Sequence, residues 1–455
     1  MTERLSDYFT KNSTKFLKEF FEFLSIPSVS SESSYKKDVL RGAEWVTKFL
    51  QSMNFETDQW ETSGHPVIFG QDLSAGAGQP TLLIYNHYDV QPVDPIELWE
   101  TPPFEATVVG DQIYARGAQD NKGQCFYVLQ ALKYCKEVAG ALPINIKVII
   151  EGEEECGSHG LSGILQKKAK ELKADYLAIV DLGIQDMQSP AVTLGIRGLV
   201  TFDVKFTGSN TDMHSGSHGG VVYNPLHALV EVLGNLRDSK GKITVPGFYE
   251  GIIPISKQER DQLALEFYEQ GYKNEFAATA TGGEKEYKAL ERNWLRPTLE
   301  INGLWGGYNG TGFKTVIPAQ AFAKISCRLV PGQKPCKIAE IVAKHIASLA
   351  PLGVHVEVIT HEGGGPPVRG APDSSIVQAV AKAYEATFGK KCEFILSGAS
   401  IPIVSELAEA SGGDVVLLGL GLPGDKIHAP NEHFGVDRLA MGFEIIVRTL
   451  QNLKR

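Results

Sequence analysis

The sequence predicts an α/β fold in which a mixed, largely parallel sheet carries helices on both faces and a smaller α+β domain is inserted into the larger one. Short apolar runs alternate with helical patterns in the outer parts of the chain, whereas the middle part shows strict two-residue alternation. Strands buried on both faces have continuous apolar sequences, and strands with one solvated face alternate. We therefore expect a discontinuous domain formed by residues 1–198 and 368–455, interrupted by a second domain at 199–367.

The outer parts of the chain contain helices and buried strands in alternation. Apolar residues between Phe16 and Leu24 recur at helical spacing. Further helical patterns lie at about 36–52, 122–138, 161–172 and 373–388. Apolar runs that indicate buried strands lie at 81–85, 144–150, 176–180 and 415–420. This alternation is typical of a sheet covered by helices on both faces.

The inserted part has a different pattern. Residues 200–206, 321–329 and 354–358 alternate between apolar and smaller or polar side chains, which predicts one-sided strands. Helical patterns at about 224–238 and 335–349 accompany them. The aromatic residues of segment 246–300 are expected to lie mostly in the core of this inserted domain. A stretch rich in glycine and proline, Gly363–Gly370, predicts the linker that leads back to the larger domain.

Composition and charge exclude several classes of protein. The 455 residues include 44 Lys and Arg against 54 Asp and Glu, and the net charge of −10 has the wrong sign for a general binder of nucleic acid or anionic membranes. The six cysteines contain no CxxC pair, so we expect reduced thiols rather than a disulfide scaffold or a structural zinc module. No apolar run approaches the roughly 18 residues needed to cross a bilayer. These features favour a cytoplasmic enzyme that acts on a small molecule or a peptide.

Polar residues follow each of the four predicted buried strands. His87 and Asp89 follow the first strand, the run 151–155 contains four glutamates after the second, Asp181 follows the third, and His428 comes shortly after the fourth. Ligand sites of open α/β sheets form outside the carboxyl ends of the strands. We therefore expect these side chains to share one site.

Taken singly, each candidate has an ordinary alternative. His87 is compatible with a metal ligand oriented by Asp89, but by itself the pattern favours a solvated loop histidine. Asp120 lies just before a predicted helix, and by itself this position favours an N-cap. The adjacent carboxylates of Glu153 to Glu155 repel one another unless solvent or a cation compensates them. His428 could also be a loop histidine.

Taken together, the candidates have the chemistry of a metal centre. Two imidazoles and three carboxylates favour zinc or a related metal over calcium, and the lack of thiolate ligands argues against a structural zinc site. Two divalent ions would balance the charges of Asp120, Glu155, Asp181 and a hydroxide. Glu154 is then left over as a base.

The combination of motifs resembles the aminoacylase and carboxypeptidase family of co-catalytic zinc peptidases, and within it the carnosinase-like dipeptidase branch. The resemblance runs nearly end to end. It rests on His87-Tyr-Asp89, Arg116-Gly117 with Asp120 and Lys122-Gly123, Glu151-Gly-Glu-Glu-Glu155, Asp181, Met213-His-Ser-Gly216, Thr315-Val-Ile-Pro318, Arg328-Leu-Val-Pro331, Ser400-Ile-Pro402 and His428.

The resemblance implies a centre of two divalent ions per chain, zinc by preference and manganese or cobalt as alternatives. His87 and Asp181 would bind one ion and Glu155 and His428 the other, with Asp120 bridging them. The larger domain would then be the catalytic domain, and the inserted domain a lid through which a homodimer forms.

The resemblance also implies catalytic and substrate-binding roles. Asp89 would orient the ring of His87, and Glu154 would be the general base that carries a proton from the attacking water to the leaving amine. His214 would reach the active site of the neighbouring subunit and polarise the scissile carbonyl. The substrate-contacting residues would be His214, Thr315, Arg328 and Ser400, with Arg328 facing a free C-terminal carboxylate.

The resulting hypothesis is hydrolysis of dipeptides at the amide bond next to the free C-terminal carboxylate, by a water activated by two metal ions. An N-acyl amino-acid deacylase or a carboxypeptidase of the same family is the alternative, because the ligand set fits all three. A non-catalytic binding module would be expected to lack ligands. All five candidate ligands and Glu154 are present.

Overall fold

The computed structural model describes residues 5–361 and 364–455, so Gly363 of the predicted linker lies outside the described residues. The helices are α1 (Leu5–Leu24), α2 (Lys36–Ser52), α3 (Lys122–Glu137), α4 (His159–Ser162), α5 (Leu165–Leu172), α6 (Ser215–His218), α7 (Pro225–Gly234), α8 (Lys257–Gln262), α9 (Glu269–Phe276), α10 (Ala289–Trp294), α11 (Pro335–Ser348), α12 (Ser375–Phe388), α13 (Pro402–Ser411) and α14 (Val436–Leu453). The strands are β1 (Glu56–Trp60), β2 (Val67–Asp72), β3 (Thr81–His87), β4 (Thr107–Val109), β5 (Gln112–Tyr114), β6 (Asn145–Glu151), β7 (Tyr176–Val180), β8 (Ala191–Ile196), β9 (Gly198–Thr207), β10 (Met213–His214), β11 (Thr298–Gly306), β12 (Val316–Ile317), β13 (Gln320–Leu329), β14 (His355–Thr360), β15 (Val368–Arg369), β16 (Glu393–Ser397), β17 (Asp414–Leu418) and β18 (His433–Gly435).

The larger sheet is mixed, with a parallel centre. Its strand order is β1-β2-β6-β3-β7-β17-β8-β15, and β16 also pairs with β8. Strands β6, β3, β7 and β17 run parallel to one another, and β1, β2 and β15 are attached in antiparallel pairings. Every residue of β6 and β7 is buried, because helices cover both faces. The parallel centre brings the carboxyl ends of these strands to one edge.

The smaller sheet is antiparallel, in the order β11-β13-β9-β14. Burial alternates along the whole of β9, with Val200, Phe202, Val204 and Phe206 on the covered face. Helices α7 and α11 cover that face and form one hydrophobic core with it. The alternating sequence thus produces a sheet with helices on one side, as predicted.

The predicted fold class is confirmed, with local differences. The helix expected at 161–172 is interrupted at Gly163 and forms α4 and α5. The chain passes from the larger sheet at Ile196 to the smaller one at Gly198, and from Thr360 in the smaller sheet back to Val368 in the larger one. On this basis we propose the domain division 1–198 with 368–455, and 199–367.

Segment 246–300 differs from its predicted role as core of the inserted domain. Phe248 does lie in that core, but Leu263 is buried in the core of the larger domain and Trp294 packs against it. Tyr268 is 75% exposed. The expectation was wrong for Trp294, because the segment also packs on the larger domain, and for Tyr268, because that side chain faces solvent.

Two expectations about the whole chain concern membranes and cysteines. None of the helices in residues 5–361 and 364–455 has the length and apolar character required to span a membrane. The six cysteines are free thiols, as expected from their spacing.

Candidate active site

The polar residues predicted to share one site follow neighbouring strands of the parallel centre. His87 is the last residue of β3, Glu151 is the last of β6, and Asp181 comes directly after β7. Because β3 pairs with both β6 and β7, their carboxyl ends lie side by side. The order of the strands therefore explains why residues distant in sequence meet here.

A first group of possible metal ligands consists of His87, Asp120 and Asp181. One ligand atom of each lies within 4.8 Å of the others. The Nε2 atom of His87 is 3.2 Å from Oδ1 of Asp120 and 3.6 Å from Oδ1 of Asp181. His87 is fully buried, so its ring is fixed by packing as well as by these contacts.

A second group consists of Asp120, Glu155 and His428, again within 4.8 Å of one another. The Nε2 atom of His428 is 3.0 Å from Oδ2 of Asp120 and 3.2 Å from Oε2 of Glu155. Asp120 thus belongs to both groups and directs one oxygen to each histidine. The side chain of His428 is 52% exposed, so the site is open to solvent on this side.

Asp89 connects the end of β3 to the glutamate turn that follows β6. Its carboxylate oxygens accept hydrogen bonds from the backbone N–H groups of Glu154, at 3.2 Å, and Glu155, at 3.1 Å. Oδ1 of Asp89 is also 3.3 Å from Nδ1 of His87. A single buried carboxylate therefore contacts one candidate ligand, His87, and holds the backbone of the turn that carries Glu154 and Glu155.

Asp120 does not cap helix α3, and the N-cap interpretation was wrong. The N-cap of α3 is Asn121, whose side chain makes no capping hydrogen bond. Its Nδ2 atom donates to Oδ1 of Asp181 at 2.7 Å, and its Oδ1 accepts from Asn86 at 2.7 Å. Asn121 therefore positions Asp181, a role that sequence reasoning missed because an asparagine beside a candidate carboxylate has no specific spacing.

Glu432 is a second residue that the sequence analysis missed. It is fully buried, and its carboxylate accepts hydrogen bonds from the backbone N–H groups of Gly117, at 2.9 Å, and Asp120, at 3.0 Å. Arg116 donates to it at 2.8 Å. Glu432 therefore fixes the loop that presents Asp120. The only signal in the sequence was its position four residues after His428.

The loop that carries His428 needs support of its own. His428 has a φ of 59°, in the left-handed region that is uncommon for residues with a side chain. The buried pair of Arg438 and Asp425, at 2.8 Å, lies at the base of the loop, and Asp425 also accepts from the backbone N–H of Leu422 at 2.7 Å. These contacts hold the loop against α14.

The electrostatics of the site favour bound cations. Burial raises the pKa of Glu155 to about 7, with the charge of Asp120 as a second cause. Burial also raises the pKa of Glu154 well above its usual range, although His87 opposes the shift. Hydrogen bonds to Asp120 and Glu155 raise the pKa of His428 to about 10. Without metal ions, bound protons compensate the clustered negative charge of these groups. Divalent ions would compensate the same charge and release the protons.

In the part of the chain that the structure describes, the predicted substrate-contacting residues make no hydrogen bond or ion pair to the two ligand groups. Arg328 is half-buried and donates from NH1 to Oγ of Ser400 at 2.8 Å. His214 is exposed on β10, and its Nδ1 accepts from the N–H of Gly216 at 2.9 Å. The carbonyl of Thr315 accepts from Ser215 at 3.0 Å. Within the described residues, neither His214 nor Thr315 has a hydrogen bond or ion pair to the candidate ligands.

Comparison with known proteins identifies the family. Residues 83–452 match the peptidase family M20/M25/M40. The chain belongs to this family. It is therefore a metallopeptidase that hydrolyses peptide bonds, and the resemblance found in the sequence is confirmed.

Individual relatives cover nearly the whole chain. The Cys-Gly metallodipeptidase DUG1 of Saccharomyces cerevisiae is 30% identical over 99% of this chain and 98% of its own length. The human Beta-Ala-His dipeptidase is 29% identical over 95% of this chain and 89% of its own length. The solved structure of the M20 family metallo-carboxypeptidase Sso-CP2 from Sulfolobus solfataricus has a TM-score of 0.85 and 32% identity, covering 96% of this chain and 99% of that one.

Proposed function

We propose that this M20 peptidase hydrolyses dipeptides at the amide bond next to the free C-terminal carboxylate. The observation that carries the proposal is the sharing of Asp120 between two ligand groups, with the half-buried Glu154 next to the ligand Glu155 in sequence and in neither group. The names of the relatives support dipeptides as the substrate class. Cytoplasmic location is part of the proposal and rests on the free cysteines.

The donor set fits two divalent ions. His87 and Asp181 would hold one ion, Glu155 and His428 the other, and Asp120 both, because each group offers nitrogen and oxygen atoms within 4.8 Å. Imidazole and carboxylate donors suit zinc, with manganese and cobalt as alternatives. When bound, the two ions supply Lewis-acid activation of the scissile carbonyl and of the attacking water.

Glu154 would be the general base. Its pKa is raised by burial, with the nearby charges of Asp181 and Glu155 adding to the effect, so its carboxylate accepts a proton readily. The backbone N–H of Glu154 donates a hydrogen bond to Asp89, and this bond fixes the turn that carries Glu154. Glu154 would take a proton from the attacking water and deliver it to the nitrogen of the leaving amine.

Arg328 and Ser400 would bind the C-terminal carboxylate of the substrate. The guanidinium of Arg328 is half-buried, and in the described part of the chain no carboxylate lies within ion-pair distance of it. A substrate carboxylate would supply the missing charge by paired hydrogen bonds. Asp89 would keep His87 in one orientation through its contact with Nδ1.

His214 would donate a hydrogen bond to the scissile carbonyl oxygen, and Thr315 would contact the substrate beside it. Because His214 is exposed and has no contact with the ligand groups of its own chain, we propose that it acts in the active site of a second subunit. A homodimer formed through the inserted domain would bring it there.

A carboxypeptidase is the second candidate, because the solved structure of a metallo-carboxypeptidase matches this chain with a TM-score of 0.85. An N-acyl amino-acid deacylase is a third activity that uses the same centre. All three act beside a free carboxylate, so the difference lies in the amino-terminal side of the substrate.

A substrate panel tests the proposal. The zinc-loaded or manganese-loaded protein is incubated with a dipeptide, its C-terminal amide, the matching N-acetyl amino acid, and a tetrapeptide ending in the same residue. We expect cleavage of the dipeptide at least tenfold faster than of the other three. Faster removal of the last residue of the tetrapeptide would establish a carboxypeptidase instead, and equal cleavage of the C-terminal amide would refute carboxylate recognition by Arg328.

A further inference from the structure

A cavity of about 230 Å³ lies where the chain crosses between the two domains. Both crossings line it, the first through Gly195–Arg197 and the second through Val368–Arg369. Residues of segment 246–300 and of β16 complete its walls. Neither the candidate metal ligands nor Arg328 and Ser400 are among the described residues that line this crossing cavity, although Arg197 in its wall is a neighbour of Arg328.

The crossing cavity is rich in positive charge. Four arginines line it, and two of them have carboxylate partners: Arg260 pairs with Glu291, and Arg296 pairs with Glu284 at 2.9 Å. In residues 5–361 and 364–455, the other two, Arg197 and Arg369, have no carboxylate within ion-pair distance.

Arg197 is buried with neutral partners. Its exposed fraction is 7%, and it donates to the carbonyl of Gly398 at 2.9 Å and to Oγ1 of Thr298 at 3.3 Å. Burial lowers the pKa of Arg197 to about 10, and the neighbouring charge of Arg328 adds to the shift. A buried guanidinium without a counter-ion is unfavourable, and a bound anion relieves it.

The strand register places Arg369 near Arg197. Arg369 pairs with Gly195 in the antiparallel ladder of β15 and β8, and Arg197 is two residues beyond Gly195. Arg197 follows β8 directly, and both arginines line the same cavity, so two long side chains can reach toward a shared anion. Glu259 is near Arg369. Hydrogen bonds from Ser256 are the main cause that lowers the pKa of the Glu259 carboxyl, and the positive charge of Arg369 lowers it further.

Most of the remaining walls are apolar, with Glu291, Tyr287 and Ser397 as polar exceptions. Ile196, Val330 and Leu396 are buried, and Trp294 and Ile253 also line the cavity. The volume is below the roughly 300–1,000 Å³ of pockets for drug-sized ligands, and it would hold a molecule of about a dozen non-hydrogen atoms or fewer. An anionic head beside the arginines and an apolar body against these walls would match both kinds of surface.

We propose that the crossing cavity binds a small organic carboxylate with an apolar body, held by Arg197 and Arg369 at the junction of the two domains. The site does not depend on the proposed hydrolysis, because none of its residues belongs to that machinery. Its occupant contacts both chain crossings at once.

The test uses 4-phenylbutyrate as the probe and isothermal titration calorimetry on the full chain. We expect binding by the wild-type protein and binding at least tenfold weaker by Arg369→Met, because a charged hydrogen-bond donor is lost. Arg369→Lys should retain part of the affinity. Arg448→Met is the matched control, since Arg448 pairs with Glu444 on α14 outside the cavity, and it should bind as the wild type does.

Two further measurements keep the test decisive. Glu259→Gln should bind the probe at least as tightly as the wild type, because it removes a nearby negative charge from Arg369 while the amide can still accept from Ser256. The neutral 4-phenylbutyramide and inorganic phosphate should both bind at least tenfold more weakly than the probe. No binding by the wild type, equal binding of the amide, or loss of binding in Arg328→Met but not in Arg369→Met would overturn the proposal.

Discussion

The polar residues at the ends of the parallel strands contact one another, whereas no hydrogen bond or ion pair in the described part of the chain joins them to the histidine on the inserted domain. At the strand ends, His87, Asp120, Asp181, Glu155 and His428 are linked by contacts of 3.0–3.6 Å. On the inserted domain, His214 is exposed, and its ring accepts a hydrogen bond from its own turn. All candidate ligands of the strand-end centre thus come from one chain, whereas His214 has no hydrogen bond or ion pair to them among the described residues, which is why we propose that it acts from a second chain.

The largest effect is expected when the shared ligand of the strand-end centre is removed. Asp120→Ala should abolish both ligand groups, so we expect less than one divalent ion per chain and loss of at least about four orders of magnitude in kcat/KM. His87→Ala and His428→Ala should each weaken one group. Elemental analysis of the dialysed proteins checks this, with the exposed Asp186→Ala as control. One retained ion in Asp120→Ala would contradict a shared ligand.

A large effect without metal loss is expected at Glu154. Glu154→Gln should lower kcat by about 10²–10⁴, because the general base is lost while the fold of the turn is kept. The metal content should equal that of the wild type. Glu155→Gln is the matched comparison, since it should lose metal. The opposite result, metal loss in Glu154→Gln alone, would exchange the two roles.

The role of His214 sharpens the contrast between the two regions. His214→Ala should lower kcat by about 10²–10³, corresponding to roughly 2.7–4 kcal/mol for a lost donor to the developing oxyanion. Metal content should not change, because His214 has no contact with the ligand groups. His218→Ala, four residues away on the same exposed turn, is the control and should be nearly fully active.

Subunit mixing decides whether His214 acts across a dimer. Inactive His214→Ala and inactive Glu154→Gln chains are mixed and allowed to exchange subunits. A mixed dimer would contain one site with Glu154 of one chain and His214 of the other, so activity should recover toward half the wild-type value per mixed dimer. No recovery after exchange has been demonstrated by mass spectrometry would place His214 in its own chain's site.

A smaller effect is expected at Glu432, which touches no substrate. Glu432→Gln should weaken metal affinity by about 10–100-fold, because the amide replaces the carboxylate that holds the Asp120 loop. The KM at saturating metal should remain near that of the wild type. Competition with a chromophoric chelator measures the affinity, and Glu444→Gln on α14 is the control. An unchanged metal affinity would assign Glu432 to stability alone.

The smallest effect is expected in the number of protons that the protein releases when it binds metal. In the metal-free protein, hydrogen bonds to Asp120 and Glu155 raise the pKa of His428 to about 10 and keep its ring charged at pH 7, so metal binding must displace this proton. Apparent affinity should therefore fall as the pH falls. Zinc titrations in buffers of different ionisation enthalpy should show about one proton fewer released by His428→Gln than by the wild type. Equal proton release would contradict a charged His428.

The arrangement of strands was largely predictable from local patterns. Continuous apolar runs predicted β3, β6, β7 and β17, and alternation predicted the one-sided β9 and β13. The polar residues after the buried strands predicted where the site forms, because parallel strands present their carboxyl ends at one edge. Patterns of this kind depend on neighbours in sequence, which is why they could be found without the structure.

Contacts between distant segments could not be predicted in the same way. The sequence by itself determined the fold class, the two kinds of sheet and the residue types of the candidate metal centre. These features depend only on residue type and on the spacing of apolar residues between sequence neighbours. Local patterns by themselves favoured an N-cap role for Asp120, whereas the family resemblance implied a shared ligand. The tertiary structure places Asp120 between two histidines and shows that Glu432 holds its loop. Segment 246–300 likewise packs on both domains. These outcomes depend on which loops the folded chain brings within hydrogen-bonding distance, and hydrogen bonds between residues hundreds of positions apart leave no periodic trace in a single sequence.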